Sequence, residues 1–268
     1  MTGKGILRCV RASDYPFFRP RFIAMAHRGG LVDESQAAQE NTLTAFTRAV
    51  GMGYRYLETD VHVTRDGKLV AFHDDSLKRL LGVTGSIGQL TFADLRAVRV
   101  HGADLVPTLD ELLDALPQAR FNIDMKADGT VGPLAQTLAR HRAELRVCVA
   151  SFSARRLARF RYLMGRRIAT SASIAGAVWN LLPVLPSLIR TDSVALQIPL
   201  TYPVAGHRLR VITPHLIRAA HARGMKVQAW TIDDADTMER LIDLGVDGIL
   251  SNRIDVLKRV LIRRGLWE

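Results

Sequence analysis

The sequence predicts an α/β fold, a (β/α)8 TIM barrel with a small hairpin and loop excursion at its C-terminal face. Eight short apolar runs recur along the 268 residues, amphipathic stretches alternate with them, and polar side chains gather at the ends of the runs. Alternating strands and helices build a parallel sheet, and eight such units close it into a barrel whose working face lies at the strand C-termini.

The strand runs, in order, are FIAMAH (22–27), YRYLETDV (54–61), FNIDMK (121–126), RVCVASF (146–152), RRIATS (166–171), SVALQI (193–198), KVQAWT (226–231) and DGILS (247–251). Helix-like spacing of apolar residues marks 42–52, 108–116, 132–142, 154–163, 214–223 and 235–244. Asn41 or Thr42 caps the first helix, Thr213-Pro214 opens a later one, and Gly224 and Gly245 end two others. Residues 75–106 fit the alternation less well, because Gly82, Gly85 and Gly88 interrupt it before 91–98 resumes as a helix. This stretch is expected to cross the barrel's top. Residues 22–268 are read as one barrel domain and 1–21 as an N-terminal extension.

Four strand-end strings carry the chemistry: AHRGG (26–30), LETDVH (57–62), AFHDD (71–75) and FNIDMK (121–126). Side chains two apart on a strand share a face, which puts Glu58 with Asp60 and Asp124 with Lys126, and sets Asn122 one layer below. The predicted site combines His27 and His73 for acid/base work, Glu58, Asp60 and Asp124 for a metal, and Arg28 and Lys126 for a phosphate. An all-carboxylate cage suits one divalent ion of the hard class, Mg²⁺ or Ca²⁺, rather than Zn²⁺.

How His73 reaches the carboxylates depends on the run 61–74, VHVTRDGKLVAFHD. Asp66-Gly67 is a strong two-residue hairpin signal. With those two in the loop, Arg65 pairs with Lys68, His62 with Ala71 and Asp60 with His73. A one-residue bulge would shift that register.

Composition narrows the alternatives. With 48% hydrophobic residues the chain can bury a large core. Cys9 and Cys148 are far apart and form no metal or redox motif, so a reducing compartment is expected. Charged residues interrupt any apolar run in the first 26 positions, which argues against a signal peptide. A cytoplasmic location follows. The longest apolar stretch, IAGAVWNLLPVLPSLI (174–189), is shorter than the ~20 residues a membrane helix needs and contains two prolines. It is expected to be a helix buried against the barrel, an oligomer contact, or a lipid-facing lip at 174–190 that touches the inner face of the membrane. The formal net charge of +11 attracts anionic surfaces without choosing among them. No nucleic-acid motif accompanies it, and the oligomeric state stays open.

In order and spacing, AHRGG, the ENT of 40–42, ETDVHVTRDG, FHD, PTLDELL, NIDMK, QAWTID and DGILSNR resemble the glycerophosphodiester phosphodiesterase family. The likeness runs from Ala26 to Arg253. It implies a metal-dependent hydrolase that cleaves sn-glycerol-3-phosphodiesters, either glycerophosphodiesters or lysophospholipids, to glycerol 3-phosphate or lysophosphatidate plus an alcohol. By the same resemblance Glu58, Asp60 and Asp124 hold the ion, His27 and His73 act as general acid and base, and Arg28 and Lys126 contact the phosphate. Glu40 and Trp230 fall in family motifs and are placed in the substrate pocket.

Three departures stand out. The family usually has Glu where this chain has Asp124, a shortening expected to move the metal or admit a bridging water. Ser251-Asn252-Arg253-Ile254 replaces TDRP, removing a carboxylate from the rim, and Gln39 replaces a proline. Neither of the last two is expected to touch the catalytic set. The competing reading of a different class is a barrel that binds phospholipid headgroups at a membrane without catalysis.

Overall fold

The structure is a computed structural model and describes residues 10–173, 176, 192–204 and 206–268. Its strands are β1 (Ile23–Leu31), β2 (Tyr56–Val63), β3 (Leu69–Ala71), β4 (Arg120–Met125), β5 (Val147–Ala150), β6 (Ala169–Thr170), β7 (Ala195–Pro199), β8 (Thr201–Val204), β9 (His207–Arg210), β10 (Lys226–Trp230) and β11 (Gly248–Arg253). Eight of them pair in the order β6-β5-β4-β2-β1-β11-β10-β7. A parallel bridge from Ser171 to Ala195 brings the two ends together. There Ala172 N–H donates to Ala195 O at 2.8 Å and Val194 N–H to Thr170 O at 2.9 Å. All eight expected strands are present, and the ring is a nearly closed barrel.

Helices Leu43–Gly51, Leu109–Ala115, Val131–Arg140, Ala154–Met164, Pro214–Ala222 and Ala235–Leu244 occupy the expected connections, and Ile254–Arg263 follows the last strand. Of the two candidate caps for the first helix, Thr42 is the one used, its side chain accepting from Ala45 N–H. Thr213 caps its helix in the same way, with Pro214 in the first turn.

Strand alternation divides the core. Outward residues such as Leu57, Phe121, Val149 and Ile249 pack with Phe46, Leu112, Leu134 and Phe160 of the helices. Inward residues Ile23, Met25, Tyr56, Cys148, Ala195 and Leu250 cluster with Phe17 and Phe18. Those two phenylalanines belong to the N-terminal segment, which stoppers the barrel at the strand N-termini. Phe17 meets Tyr56 edge-on at 5.0 Å, and Tyr56 Oη donates to Phe17 O at 2.6 Å. Residues 72–106 carry their own small core of Phe72, Leu77, Leu80, Ile87, Leu95 and Val100, and the helix expected at 91–98 is Phe92–Arg96.

The hairpin register is a correction. Strand β3 pairs with β2 as Val61↔Ala71, His62↔Val70 and Val63↔Leu69, one residue away from the expected alignment. Thr64 causes the shift by organising a five-residue loop. Its hydroxyl donates to Asp66 Oδ1 at 2.6 Å and accepts from Lys68 N–H at 2.9 Å. Asp60 O therefore receives Phe72 N–H at 2.9 Å, and His73 is not its partner in the ladder. Pairing stops at Ala71, so His73 reaches the site from the turn beyond the strand.

A second hairpin, β8–β9, was not anticipated from the sequence, where only the Ala205-Gly206 step hints at it. The apolar stretch 174–189 lies outside the described residues apart from Gly176.

Two glycines test the packing argument. Gly29 has φ +90°, and a Cβ there would lie 2.6 Å from Ala45 Cβ and 2.9 Å from Ala45 C; Gly51 meets nothing within 4 Å. Gly29→Ala is expected to destabilise by about 1–3 kcal/mol in denaturant unfolding, whereas Gly51→Ala should be neutral or stabilise by up to about 1 kcal/mol. Equal effects would contradict the close-approach account.

Candidate active site

The site is assembled from inward positions near the C-terminal ends of neighbouring strands. His27 lies opposite Glu58 in register. Glu58 lies opposite Asn122, and Asp60 opposite Asp124. The alternation that points Met25 and Tyr56 into the stoppered end thus points His27, Glu58 and Asp60 into the open one. A cavity of about 200 Å³ results, lined by His27, Arg28, Glu58, Asp60, His73, Asp124, Lys126 and Trp230. Glu40, the remaining predicted residue, lies in the adjoining groove.

The AHRGG string turns the chain over the cavity. Arg28 has φ +53° and Gly30 φ +66°, a run of left-handed backbone that continues through Gly29. Arg28 N–H then donates to Glu58 Oε2 at 3.2 Å. Its guanidinium lies 3.2 Å from Asp60 Oδ2 and 3.2 Å from Glu40 Oε1. Asn41, expected only as a cap, adopts φ +58°. It donates to Asp60 Oδ2 at 3.2 Å and accepts from Thr59 Oγ1 at 2.8 Å.

Lys126 Nζ sits 2.7 Å from Asp60 Oδ1 and 2.8 Å from Asp124 Oδ2. Burial opposes charge on this lysine, yet the two carboxylates raise its pKa. Burial likewise opposes charge on Asp60, but Lys126 and Arg28 outweigh it and hold the carboxyl below its ordinary value. Glu58 has the opposite balance: burial, reinforced by Asp60, raises its pKa well above the ordinary value. Asp124 Oδ1 is buried without a hydrogen-bond partner. Three carboxylates against two cations, one orphaned oxygen and one carboxyl driven towards neutrality fit a hard divalent ion.

The two histidines have different surroundings. Burial and the nearby Arg28 charge lower the pKa of His27 to about 4. His73 Nδ1 lies 2.7 Å from Asp74 Oδ1. Arg79 grips Asp74 and Glu40 at once, with contacts of 2.6 Å to each, and this pairing, with His73, lowers Asp74 to about 2. Among the described residues it is Glu40, His73 and Asp74 whose donor atoms lie within 4.8 Å of one another; Glu58, Asp60 and Asp124 do not draw together that closely. Two guanidinium groups already neutralise that rim cluster, as Arg28 and Lys126 do the inner carboxylates Asp60 and Asp124.

One expectation is corrected here: Asn252, placed apart from the catalytic set, lies with Oδ1 2.7 Å from His27 Nδ1. Its Nδ2 donates to Asp233 Oδ2 at 2.9 Å. Below them Gln197 Nε2 donates to Asn122 Oδ1 at 2.8 Å and to Gln228 Oε1 at 2.9 Å, forming an amide floor. Trp230 stacks on Phe152 at 5.9 Å along one wall.

The chain matches the profile of the glycerophosphoryl diester phosphodiesterase family over residues 27–256. It is 40% identical over 249 residues to the Mycobacterium tuberculosis protein named Probable glycerophosphodiester phosphodiesterase 2, covering 92% of this chain and 93% of that one. To the rat lysophospholipase D GDPD1 it is 26% identical over 288 residues, 91% of this chain and 88% of that one. Among solved structures, an Oleispira antarctica phosphodiesterase in complex with the product sn-glycerol-3-phosphate superposes with a TM-score of 0.74 at 24% identity, covering 90% and 96% of the respective chains.

The raised pKa of Glu58 makes its ionised form costly in the metal-free protein. Glu58→Gln in a chelator near neutral pH should therefore raise the melting temperature. The gain should shrink as pH falls through the raised pKa, because protonation of the wild-type residue removes the same charge. Mg²⁺ or Ca²⁺ should stabilise the wild type more than the variant. A variant no more stable than wild type in chelator would refute the account.

Proposed function

The chain belongs to the glycerophosphoryl diester phosphodiesterase family and is a phosphodiester hydrolase, and from that premise we propose that its cavity works with one divalent ion and two histidines. The observation that carries the proposal is convergence. His27 and Arg28 on β1, Glu58 and Asp60 on β2, Asp124 and Lys126 at the end of β4, and His73 from the turn after β3 line one cavity of about 200 Å³. A barrel that only bound headgroups would have no use for two histidines facing three buried carboxylates.

A phosphodiester is anionic and resists nucleophiles, so its cleavage requires charge neutralisation, an activated oxygen and a proton for the leaving alkoxide. Arg28 and Lys126 neutralise the phosphoryl oxygens. Glu58, Asp60 and Asp124 would hold the ion, which when bound supplies Lewis-acid charge to the same oxygens. One histidine takes the proton of the attacking water or glycerol 2-hydroxyl as the new P–O bond forms. The other gives a proton to the departing alcohol as the old bond breaks, each contributing about 10²- to 10⁴-fold. Attack by the 2-hydroxyl gives a cyclic glycerol phosphate, which water then opens.

The substrate range includes lysophospholipids. Phe152, 54% exposed, leads from the surface to Trp230 at the cavity wall. The +11 charge draws the enzyme to anionic lipid surfaces. The rat relative carries the name lysophospholipase D, and the Oleispira neighbour holds sn-glycerol-3-phosphate, the product expected here from glycerophosphodiesters. No helix among the described residues is long and apolar enough to cross a membrane. A cytoplasmic enzyme with peripheral contact at the inner face is the reading we adopt.

Release of glycerol 3-phosphate from glycerophosphocholine, and of lysophosphatidate from lysophosphatidylcholine, tests this directly. Both should need Mg²⁺ or Ca²⁺ and stop with EDTA. His27→Ala and His73→Ala should each lose about 10²- to 10⁴-fold in kcat. The lysophospholipid should turn over faster, and equal or reversed rates would remove the lipid preference. Undiminished activity in EDTA would remove the metal.

A further inference from the structure

His27 does not stand alone at the cavity edge. Its Nδ1 lies 2.7 Å from Asn252 Oδ1, across 225 positions of sequence. Asn252 Nδ2 in turn donates to Asp233 Oδ2 at 2.9 Å. Asp233 is itself held at its other oxygen, where Oδ1 accepts from Ser251 Oγ at 2.9 Å, Asn252 N–H at 2.8 Å and Arg253 N–H at 3.3 Å. The order Asp233–Asn252–His27 therefore has a direction.

A carboxylate only accepts hydrogen bonds, so the amide must turn its NH₂ to Asp233 and its carbonyl oxygen to His27. A carbonyl oxygen also only accepts. The imidazole nitrogen opposite it must then carry the proton, which makes His27 the Nδ1–H tautomer and leaves Nε2 bare. That bare nitrogen is the one on the cavity side, 3.7 Å from Glu58 Oε2. Reversing the amide would place its oxygen 2.9 Å from a carboxylate oxygen.

We propose that Asn252 and Asp233 are positioning residues that fix the tautomer and orientation of His27 through this directed chain. The inference rests on the phosphodiesterase reading of the site. In a comparable arrangement in serine proteases, losing the partner that fixes the histidine tautomer costs up to about 10⁴-fold in kcat. Here a neutral amide makes the contact, and a carboxylate one step back orients the amide.

The directionality yields a test that a general packing role would not pass. Asn252→Asp places two carboxylates against each other. In Asp233→Asn the new amide keeps its oxygen on the Ser251, Asn252 and Arg253 donors and turns its NH₂ to residue 252, so the Asn252 amide must reverse, present its own NH₂ to His27 and impose the Nε2–H tautomer. The double exchange Asn252→Asp/Asp233→Asn restores a matched pair, with a carboxylate accepting from His27 Nδ1–H and an amide at 233 donating to it. With metal-loaded enzyme and glycerophosphocholine, each single variant is expected to lose at least about tenfold in kcat with KM nearly unchanged, and the double variant to recover most of the loss. Nitrogen NMR of labelled protein should show His27 protonated at Nδ1 in the wild type and the double variant, and at Nε2 in Asp233→Asn.

Asn252→Ala guards against a single exchange that fails to fold, because it leaves Asp233 on its backbone donors and removes only the acceptor of His27. It should melt like wild type and still lose kcat. Wild-type turnover with single variants of unchanged kcat, or a double variant no better than the singles, would overturn the proposal. So would an Nε2–H tautomer in the wild type. A wild type inactive on every glycerophosphodiester would instead count against the underlying reading, and the NMR assignment would still decide the tautomer.

Discussion

Lys126 stands between Asp60 and Asp124 at 2.7 and 2.8 Å, and much of the site's organisation follows from keeping that arrangement possible. Three carboxylates share the mouth of a barrel whose walls exclude water from them. Removing one cation from such a cluster leaves an uncompensated buried charge, which is far costlier than never having placed the pair there. Arg28 consequently bends through left-handed backbone to reach Asp60, and Asn41, also at positive φ, lends a further donor. Strain at these positions is tolerated because the charges they serve cannot be left bare.

The same strands build a hydrophobic plug at one end and an ionic site at the other, and the period-2 alternation makes this economical. On β1 the inward residues run Ile23, Met25, His27; on β2 they run Tyr56, Glu58, Asp60. Apolar side chains at the early positions meet Phe17 and Phe18, so water is sealed out from below. Polar ones at the late positions meet the cavity. Between them lies the amide floor of Asn122, Gln197 and Gln228, where Gln197 Nε2 ties the other two amides together and forms the base of the ionic layer. Gln228 Nε2 remains buried without a partner.

This division explains what the sequence disclosed. Strand runs and helical periodicity are local signals, so all eight barrel strands and the six spaced helices were legible, as was the convergence of residues such as Glu58 and Asp124, which follows from parity and neighbouring strands. The hairpin register was not. It turned on whether Asp66-Gly67 formed a two-residue loop or whether the hydroxyl of Thr64 would enlarge the loop, a competition among hydrogen bonds that spacing does not decide. His73 still reached the cavity because the chain left the ladder after Ala71.

The site's supporting contacts were the least legible part, for a different reason. Arg79 joins Glu40 to Asp74 from within the excursion that interrupts the barrel pattern, where no periodicity indicates direction. In the sequence Asn252 stands out only as a departure that removes a carboxylate from the rim. Its effect depends on Asp233, which lies on the neighbouring loop and is anchored by the backbone of 252 and 253. A residue type read alone gives its charge; the hydrogen-bond direction it imposes comes from its partner. A neutral side chain backed by a carboxylate can therefore orient a histidine while placing the negative charge farther from Glu58, Asp60 and Asp124. At a cavity where Glu58 is already driven towards neutrality, that placement adds less repulsion than a carboxylate in direct contact with His27 would.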